Sequence, residues 1–421
     1  MKKIFVTTFL LLLMSTDVWG GGYQLNLFGI RQIGMAHIGS PFSHDASNIA
    51  FNPGSTAFIP NSGVVGGSSF TFINTGYMAP SPSTYTANTE PNVNYPFNAH
   101  AVYRPEQGLL SNWGAGVSVY TPYGSSVVWP EGWKNQFFLQ EISLQSVYIQ
   151  PSIGYQYGDL IGVGGGLIYG IGMVNLQQNL PVADQDGNYG RAELDGSAQA
   201  LGYSLGLMIR PDPALSIGAS YRSQLDMEVE DGDALFSVAS SLESNFPPDN
   251  TFSATLPLPW VLSFGISAGV TDQLTVAAQA DLTGWSAYEE LFLDFGENTE
   301  QLQDAPGPRN YEDSWIFRLG GEYQYDERTQ LRVGAYYDTT PVQDGYMTPE
   351  TPDSDRIAFS AGLSHKLTDQ FGVHLSLLHI RSQQREQSQE DLEGAGTTGL
   401  VPTGTFQTVA WIPGISASYS F

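Results

Sequence analysis

Ser43-His44-Asp45 sets a nucleophile, a base and an acid side by side in this 421-residue chain. A catalytic triad is made by geometry, and neighbours in sequence seldom supply it. His365, His374 and His379 lie near the ends of apolar stretches, where an interfacial position is expected rather than a catalytic one. No zinc-type His spacing comes with a general base. With no cysteine anywhere, a thiolate metal site, a disulfide framework and a lipid-modified amino terminus are excluded. Asp184-Gln185-Asp186-Gly187-Asn188 opens like a calcium loop but lacks the later Glu, so it reads as an acidic turn. A phosphate-cradling Gly-rich loop needs its Lys, and beyond residue 20 only Lys134 and Lys366 occur. No enzyme chemistry, metal or cofactor is therefore expected. What is left is a set of charges inside alternating apolar stretches: Arg222, Asp281, Arg318, Glu322, Arg332, Asp338 and Arg356. They could form an ion network bracing an interior, or one of them could anchor a ligand.

The stretches that hold these charges have a period of two. Trp260, Leu262, Phe264, Ile266 and Ala268 form one face, and Ser263, Gly265, Ser267 and Gly269 the other. After a turn at Thr271-Asp272-Gln273 the arrangement repeats through Leu282. Similar runs recur to Ile415-Ser416-Ala417-Ser418-Tyr419-Ser420-Phe421, an alternating strand that stops on an aromatic residue. Met1-Lys2-Lys3 followed by Ile4 to Met14 has the length of a signal peptide and is too short to span a bilayer as a helix. Residues 1–20 are thus expected to be removed and the chain to leave the cytoplasm. It has 47 glycines, 22 Tyr and 22 Phe beside only 14% charged residues, and no later apolar run of membrane-helix length. In lipid the backbone must satisfy its own hydrogen bonds, so a closed barrel is the remaining option. The expected fold is all-β: a transmembrane antiparallel barrel of about fourteen strands over residues 61–421, in the outer membrane of a Gram-negative bacterium. Short turns such as Thr271-Asp272 alternate with long polar segments (178–190, 230–250, 289–310, 340–355 and 382–404), which are expected to be outer loops. The formal charge of -26 would repel nucleic acid.

Residues 21–60 break the alternation, being rich in Gly, Ser, Asn and Pro. Such a segment could be a disordered tail. It could equally fold into the lumen, and a barrel of this width would leak without a plug, which favours an amino-terminal hatch.

Several elements then resemble one family. Gly22-Tyr23-Gln24-Leu25-Asn26, Gly34-Met35-Ala36 and Asp45-Ala46-Ser47-Asn48 leading to Asn52-Pro53 are similar to the hatch of the FadL-type long-chain fatty acid transporters. Trp113-Gly114-Ala115-Gly116, Thr121-Pro122-Tyr123-Gly124, Tyr221-Arg222-Ser223, Gly284-Trp285-Ser286, Asp313-Ser314-Trp315 and Pro352-Asp353 continue the resemblance in order. It implies fourteen strands closed by the hatch, ligand captured among outer loops, and release sideways through a wall gap where the third strand kinks. The matching gap residues are Pro122, Tyr123 and Gly124. Proline lacks a ladder donor and glycine relaxes the backbone, so both mark interruptions, although Pro122 could simply end its strand.

On this reading the protein is not an enzyme. It takes up hydrophobic small molecules passively, most simply long-chain fatty acids, with aromatic or other uncharged hydrophobic compounds as the alternative and a general porin or surface adhesin as the second. Its surroundings are outer-membrane lipid and lipopolysaccharide, and a monomer is expected. The hatch is the moving part, with Phe51, Asn52, Pro53 and Gly54 facing the pocket. Leu235, Val238, Ala239, Leu242 and Phe246 fall at helical spacing, so a loop helix is expected there, forming one wall of a capture groove or packing on itself. Many relatives read Lys before Asp-Ser-Trp and Arg after it, where this chain has Glu312 and Ile316. Arg309 and Arg318 are the candidate carboxylate anchors in their place.

Overall fold

The computed structural model describes residues 21–421, so the expected signal peptide lies outside the described residues. Fourteen staves make the barrel. They are β1 (Gly63–Ser69 and Thr71–Met78), β2 (Thr86–Asn88, Val93–Asn94 and Phe97–Tyr103), β3 (Trp113–Tyr120 and Gly124–Val128), β4 (Glu141–Tyr157) and β5 (Ile161–Ala183). Next come β6 (Tyr189–Asp212), β7 (Leu215–Arg222 and Leu225–Ser237), β8 (Asp249–Leu258 and Val261–Gly269), β9 (Leu274–Thr283 and Glu290–Phe295) and β10 (Ala305–Pro308 and Ser314–Gln324). The last are β11 (Thr329–Asp338), β12 (Arg356–Lys366), β13 (Phe371–Ser382 and Arg385–Gln387) and β14 (Gly404–Ser420). Every pairing between staves is antiparallel, and β14 closes on β1 from Gly63↔Ser420 to Met78↔Thr405. Closure leaves no free sheet edge in the lipid.

Alternation decides which side chains meet lipid. On β10, Trp315, Phe317 and Leu319 point outward while Ile316 and Arg318 point into the lumen. A basic group at the lipid midplane costs about 2–4 kcal/mol, and the charges named above lie inside accordingly: Arg222, Asp281, Arg318, Glu322, Arg332 and Asp338 are all buried. His374 departs from the interfacial position expected of it. It faces the lumen, with Nδ1 2.6 Å from Ser364 Oγ and Nε2 2.9 Å from Ser418 Oγ, because it falls on the inward register of β13. His379 does face outward, stacked on Trp411 at 4.0 Å.

The outer segments are the main difference from the sequence expectation. A tilted membrane-spanning strand needs about 9–11 residues, yet β5 has 23 and β6 has 24. At roughly 3.4 Å per residue, β6 is about 80 Å long, so a large part of it stands clear of the membrane. Much of the expected loops 230–250 and 289–310 is likewise strand. The helix expected over 235–246 is absent: Leu235 is an outward residue at the end of β7, and 238–248 is a turn-rich link in which Val238 and Leu242 pack on the core and Phe246 is buried. The reason lies in β7, where Leu225, Met227 and Val229 begin a period-two run. A bulge at Glu230 and Asp231, the latter at φ 52°, shifts that run so that Ala234 and Phe236 continue the inward face. One outer-loop helix does form, α3 (Gln389–Ala395), started by a reciprocal Ser388/Asp391 capping box.

Candidate functional site

Residues 21–60 fill the lumen. They carry two short helices, α1 (Ile30–Ile33) and α2 (Asn48–Phe51), and a 3-10 turn over Pro53–Phe58. The inward polar side chains of the wall hold this hatch by its backbone. Gln279 Oε1 accepts from Gly39 N and Ser40 N at 3.1 and 3.0 Å, and Ser360 Oγ accepts from Ala36 N at 2.8 Å. Arg318 donates to Asp281 Oδ2 (2.7 Å), Ala36 O and Asn26 Oδ1 (both 2.9 Å). Asn52 caps the 3-10 turn by accepting from Gly54 N, and its amide donates to Ser40 O within the hatch and to Leu207 O of β6. Gly54 lies so close to β6 that a Cβ would come within 2.7 Å of the Gly206 backbone, so glycine alone fits there without a shift of β6.

At the periplasmic face of the hatch, Ser43-His44-Asp45 is taken apart. Asp45 pairs with Arg31 at 3.1 Å and accepts from Ser47 Oγ, whereas His44 faces Glu322 at 3.6 Å. Burial, against the pull of Glu322, takes His44 down to about 4, so it is neutral near pH 7. Burial would raise Asp45, but Arg31, His374 and the Ser47 hydrogen bonds together outweigh it and hold the carboxyl well below the usual range. These groups brace the hatch and do not form a triad.

On the outer side the hatch ends in aromatic contacts. The Tyr23 ring stands 4.6 Å from Trp285, 5.8 Å from Tyr288 and 6.1 Å from Tyr123, and its hydroxyl donates to Pro257 O at 2.6 Å. Burial holds the Tyr23 phenol well above its ordinary value, so it is a neutral donor. Tyr23 and Tyr288 floor an apolar cavity of about 100 Å³ walled by Leu144 of β4, Leu176 of β5, Leu194 of β6, Met227 and Val229 of β7, Leu256 of β8 and Leu293 of β9. Outside the membrane the staves keep their apolar face inward and present acids to water: Asp226, Glu228, Glu230 and Asp233 alternate with the cavity residues of β7. Shielded apolar walls with a few polar groups suit a hydrophobic ligand.

The wall beside this cavity is interrupted. β3 pairs with β4 up to Tyr120↔Tyr148 and resumes at Gly124↔Gln145, so three residues, Thr121, Pro122 and Tyr123, stand against two, Ser146 and Val147. β2 forms a ladder with β3 only from Tyr103↔Ala115 to Asn98↔Tyr120 and meets it again at the top through Glu90 N, which donates to Val128 O at 2.8 Å. Above that point the hatch takes the place of β2. Leu25 N donates to Pro122 O at 2.8 Å, Gly124 N donates to Tyr23 O at 3.0 Å, and Gln24 bridges Tyr123. Pro122 thus sits in a kink within the stave, not at its end. The resulting seam between β2 and β3 is sealed by residues 23–25 of the hatch.

The profile of a family described as "Outer membrane protein transport protein (OMPP1/FadL/TodX)" matches residues 11–421. The chain belongs to this family. It is an outer-membrane transporter of hydrophobic compounds. The "Long-chain fatty acid transport protein" of Escherichia coli (strain K12) is 23% identical over 451 residues, covering 97% of this chain and 96% of the relative. Two solved structures share the fold: a Pseudomonas aeruginosa FadL homologue (18% identity, TM-score 0.81, 95% of this chain and 100% of that one) and the Ralstonia pickettii toluene transporter TbuX (19%, 0.69, 94% and 99%).

Within this transporter the residues expected to form a site are spread over several places. Pro122, Tyr123 and Gly124 lie at the seam: Pro122 and Gly124 are bonded to the hatch backbone, and Tyr123 faces Gln24 between them. Phe51 and Pro53 line a small inner cavity beneath Tyr123, while Asn52 and Gly54 fasten the hatch to β6. Leu235, Val238, Leu242 and Phe246 stand at the outer rim, remote from the seam in the pairing order. Both candidate anchors already hold carboxylates: Arg309 pairs with Glu350 at 2.6 Å and Arg318 with Asp281 at 2.7 Å. Neither is a free cation. The sequence reading missed the cavity walls on β4 to β9. The signal available for them was the acid-apolar alternation of Leu225 to Val229, which is the inverse of a lipid-facing strand.

Proposed function

We propose that this transporter carries long-chain fatty acids inward without an energy source, holding them in the apolar cavity and releasing them sideways into lipid at Pro122–Gly124 when residues 23–25 of the hatch move. The observation that carries this reading is the seam: three hatch residues, held by the two backbone bonds that flank the Gln24–Tyr123 pair, occupy the place of the missing β2–β3 pairing. The central lumen is filled by the hatch, so a route through the wall demands far less rearrangement than one through the middle. Burying a dozen CH₂ groups yields on the order of 10 kcal/mol at about 0.8 each, so capture needs only apolar walls. Release into lipid preserves most of that gain, and a short hatch movement is sufficient to open the way. The outer loops, including 235–246, form the capture surface on this reading. The protein acts as a monomer among outer-membrane lipid and lipopolysaccharide and catalyses no reaction.

A second reading has its own observation. A cavity of about 100 Å³ is smaller than the roughly 150 Å³ that holds benzene in an engineered protein core, so a monoaromatic hydrocarbon fits it with less adjustment than an acyl chain. The likeness to a toluene transporter supports the same alternative.

Extraction of the native protein followed by mass spectrometry of the co-purifying ligand separates the two. Fatty acids near one per protein are the expected result. Aromatic hydrocarbons in that amount would favour the second reading, and a large steady ion current through the purified protein would replace both with a general porin.

A further inference from the structure

Arg222 differs from every other buried arginine of the lumen wall. Arg309, Arg318 and Arg332 each pair with a carboxylate at 2.6–2.7 Å. Arg222 is equally buried, at 9% exposed, yet among the described residues no carboxylate lies within 4.0 Å of it. Its Nη2 donates to Tyr123 Oη at 3.3 Å, its Nε has no partner, and its guanidinium lies 5.4 and 5.9 Å from the centroids of the Tyr123 and Tyr148 rings. Tyrosine faces and the hydroxyls of Tyr120 and Tyr123 ease the burial of a cation but do not neutralise it.

The guanidinium lines an inner cavity of about 50 Å³ bounded by Phe28, Phe51 and Pro53 of the hatch and by Ser204 and Ser263 of the wall. Tyr123 sits at the junction. It touches Arg222, it is the kink residue of the seam, and its ring neighbours Tyr23, which floors the apolar cavity. Asp281 borders the same inner cavity but is held by Arg318 and Gln279.

We propose that Arg222 is a carboxylate-binding residue: it receives the headgroup of an amphiphilic monocarboxylate at the seam, while the hydrocarbon tail occupies the apolar cavity or the wall gap. This rests on the transport reading given above and sharpens it, because it assigns the cargo an acidic headgroup. A carboxylate supplies both the missing charge and a pair of acceptors for Nε and Nη2, an arrangement to which the planar guanidinium is suited and an ammonium is not. An uncharged hydrocarbon supplies neither.

The test compares [1-¹³C]palmitate with methyl palmitate, which has the same chain without the charge. Each is titrated into the full-length protein in amphipol, with empty amphipol subtracted. Arg222→Met should weaken palmitate binding at least tenfold and leave methyl palmitate within twofold. Arg222→Lys, which keeps the charge and tests the account should the methionine variant not fold, should weaken palmitate several-fold. The ¹³C signal of the bound carboxyl should titrate at lower pH in the wild type than in either variant. Heat-dependent gel migration confirms that each barrel is folded. Equal loss of acid and ester in a folded variant, or unchanged palmitate binding, would overturn the assignment of Arg222 alone. A wild-type protein that binds neither compound would instead overturn the fatty acid reading, and this assignment with it.

Discussion

Replacing Arg318 by methionine probes what holds the hatch. Methionine keeps much of the apolar stem and removes three bonds at once: the ion pair to Asp281 and the two donations to Ala36 O and Asn26 Oδ1. At 2% exposure the site gives water little access to replace them. Removing one side of a buried pair costs about 3–5 kcal/mol, because the other charge is left behind. The two lost hatch bonds are charge-assisted, each contributing about 1.5–3 kcal/mol. The hatch keeps Gln279 at Gly39 and Ser40, and Asn52 at Leu207, so it loosens without leaving. Thermal unfolding and planar-bilayer conductance should report a lower melting temperature and a raised, noisy ion current. The double variant Arg318→Met/Asp281→Leu separates the two effects. With both charges gone the barrel should regain only the part of its stability lost to the unpaired Asp281, and the current should stay high because the hatch bonds remain absent. A single variant with wild-type stability and current, or a double variant in which both return, would refute this account of the hatch.

Other perturbations follow from the same geometry. Deleting residues 21–60 should convert the barrel to a steady, high-conductance pore; an unchanged conductance would mean that the segment is no plug. Leu256→Glu puts a charge into the apolar cavity and removes roughly 1.5–3 kcal/mol of apolar contact, so hydrophobic-ligand binding should fall at least tenfold. Thr255→Glu, on the opposite face of the same strand, should leave binding unchanged. Burial pushes Asp353, which accepts from Gly22 N at 2.8 Å, up to about 6, against the pull of Arg356. The folded state therefore takes up a proton between pH 6 and the ordinary carboxyl value near 4. This group's contribution to stability rises as pH falls through 6 and is lost as pH rises through it. Asp353→Asn should flatten the melting temperature between pH 5 and 7.5 relative to the wild type, and equal slopes in the two proteins would contradict this.

The barrel could be read from sequence because lipid imposes a strict rule: on β8 and β10 every second residue must be apolar, and charges such as Arg318 have only the lumen to go to. The plug could be read because residues 21–60 violate that rule. The outer staves were hidden for a related reason. Above the membrane the rule reverses, so Leu225, Met227 and Val229 alternate with Asp226, Glu228 and Glu230 and look like a polar loop. The bulge at Asp231 then breaks the register, and the later apolar residues fall by accident at helical spacing. Pro122 marked the kink through its missing donor. That Tyr23 to Leu25 would close the gap depends on a contact between segments about a hundred residues apart, for which no local pattern exists. The ion partners of Arg309 and Arg318 were illegible for the same reason, and so was the lack of one at Arg222.

The central claim is that cargo leaves through the seam closed by the hatch at β3. The absence of cysteine makes a direct test possible. Gln24 and Tyr123 are facing partners flanked by the bonds Leu25 N to Pro122 O and Gly124 N to Tyr23 O. That is the narrow kind of antiparallel pair, with Cα atoms about 4.5 Å apart, which lies within disulfide range. In Gln24→Cys/Tyr123→Cys, oxidation locks the seam and reduction frees it, so one protein serves as its own control. Uptake of radiolabelled palmitate by cells carrying this variant as their only route should stop on oxidation and return on reduction. Uptake that is robust in the reduced state and equal to it in the oxidised state, with the disulfide verified by mass spectrometry, would show that cargo does not pass through this seam.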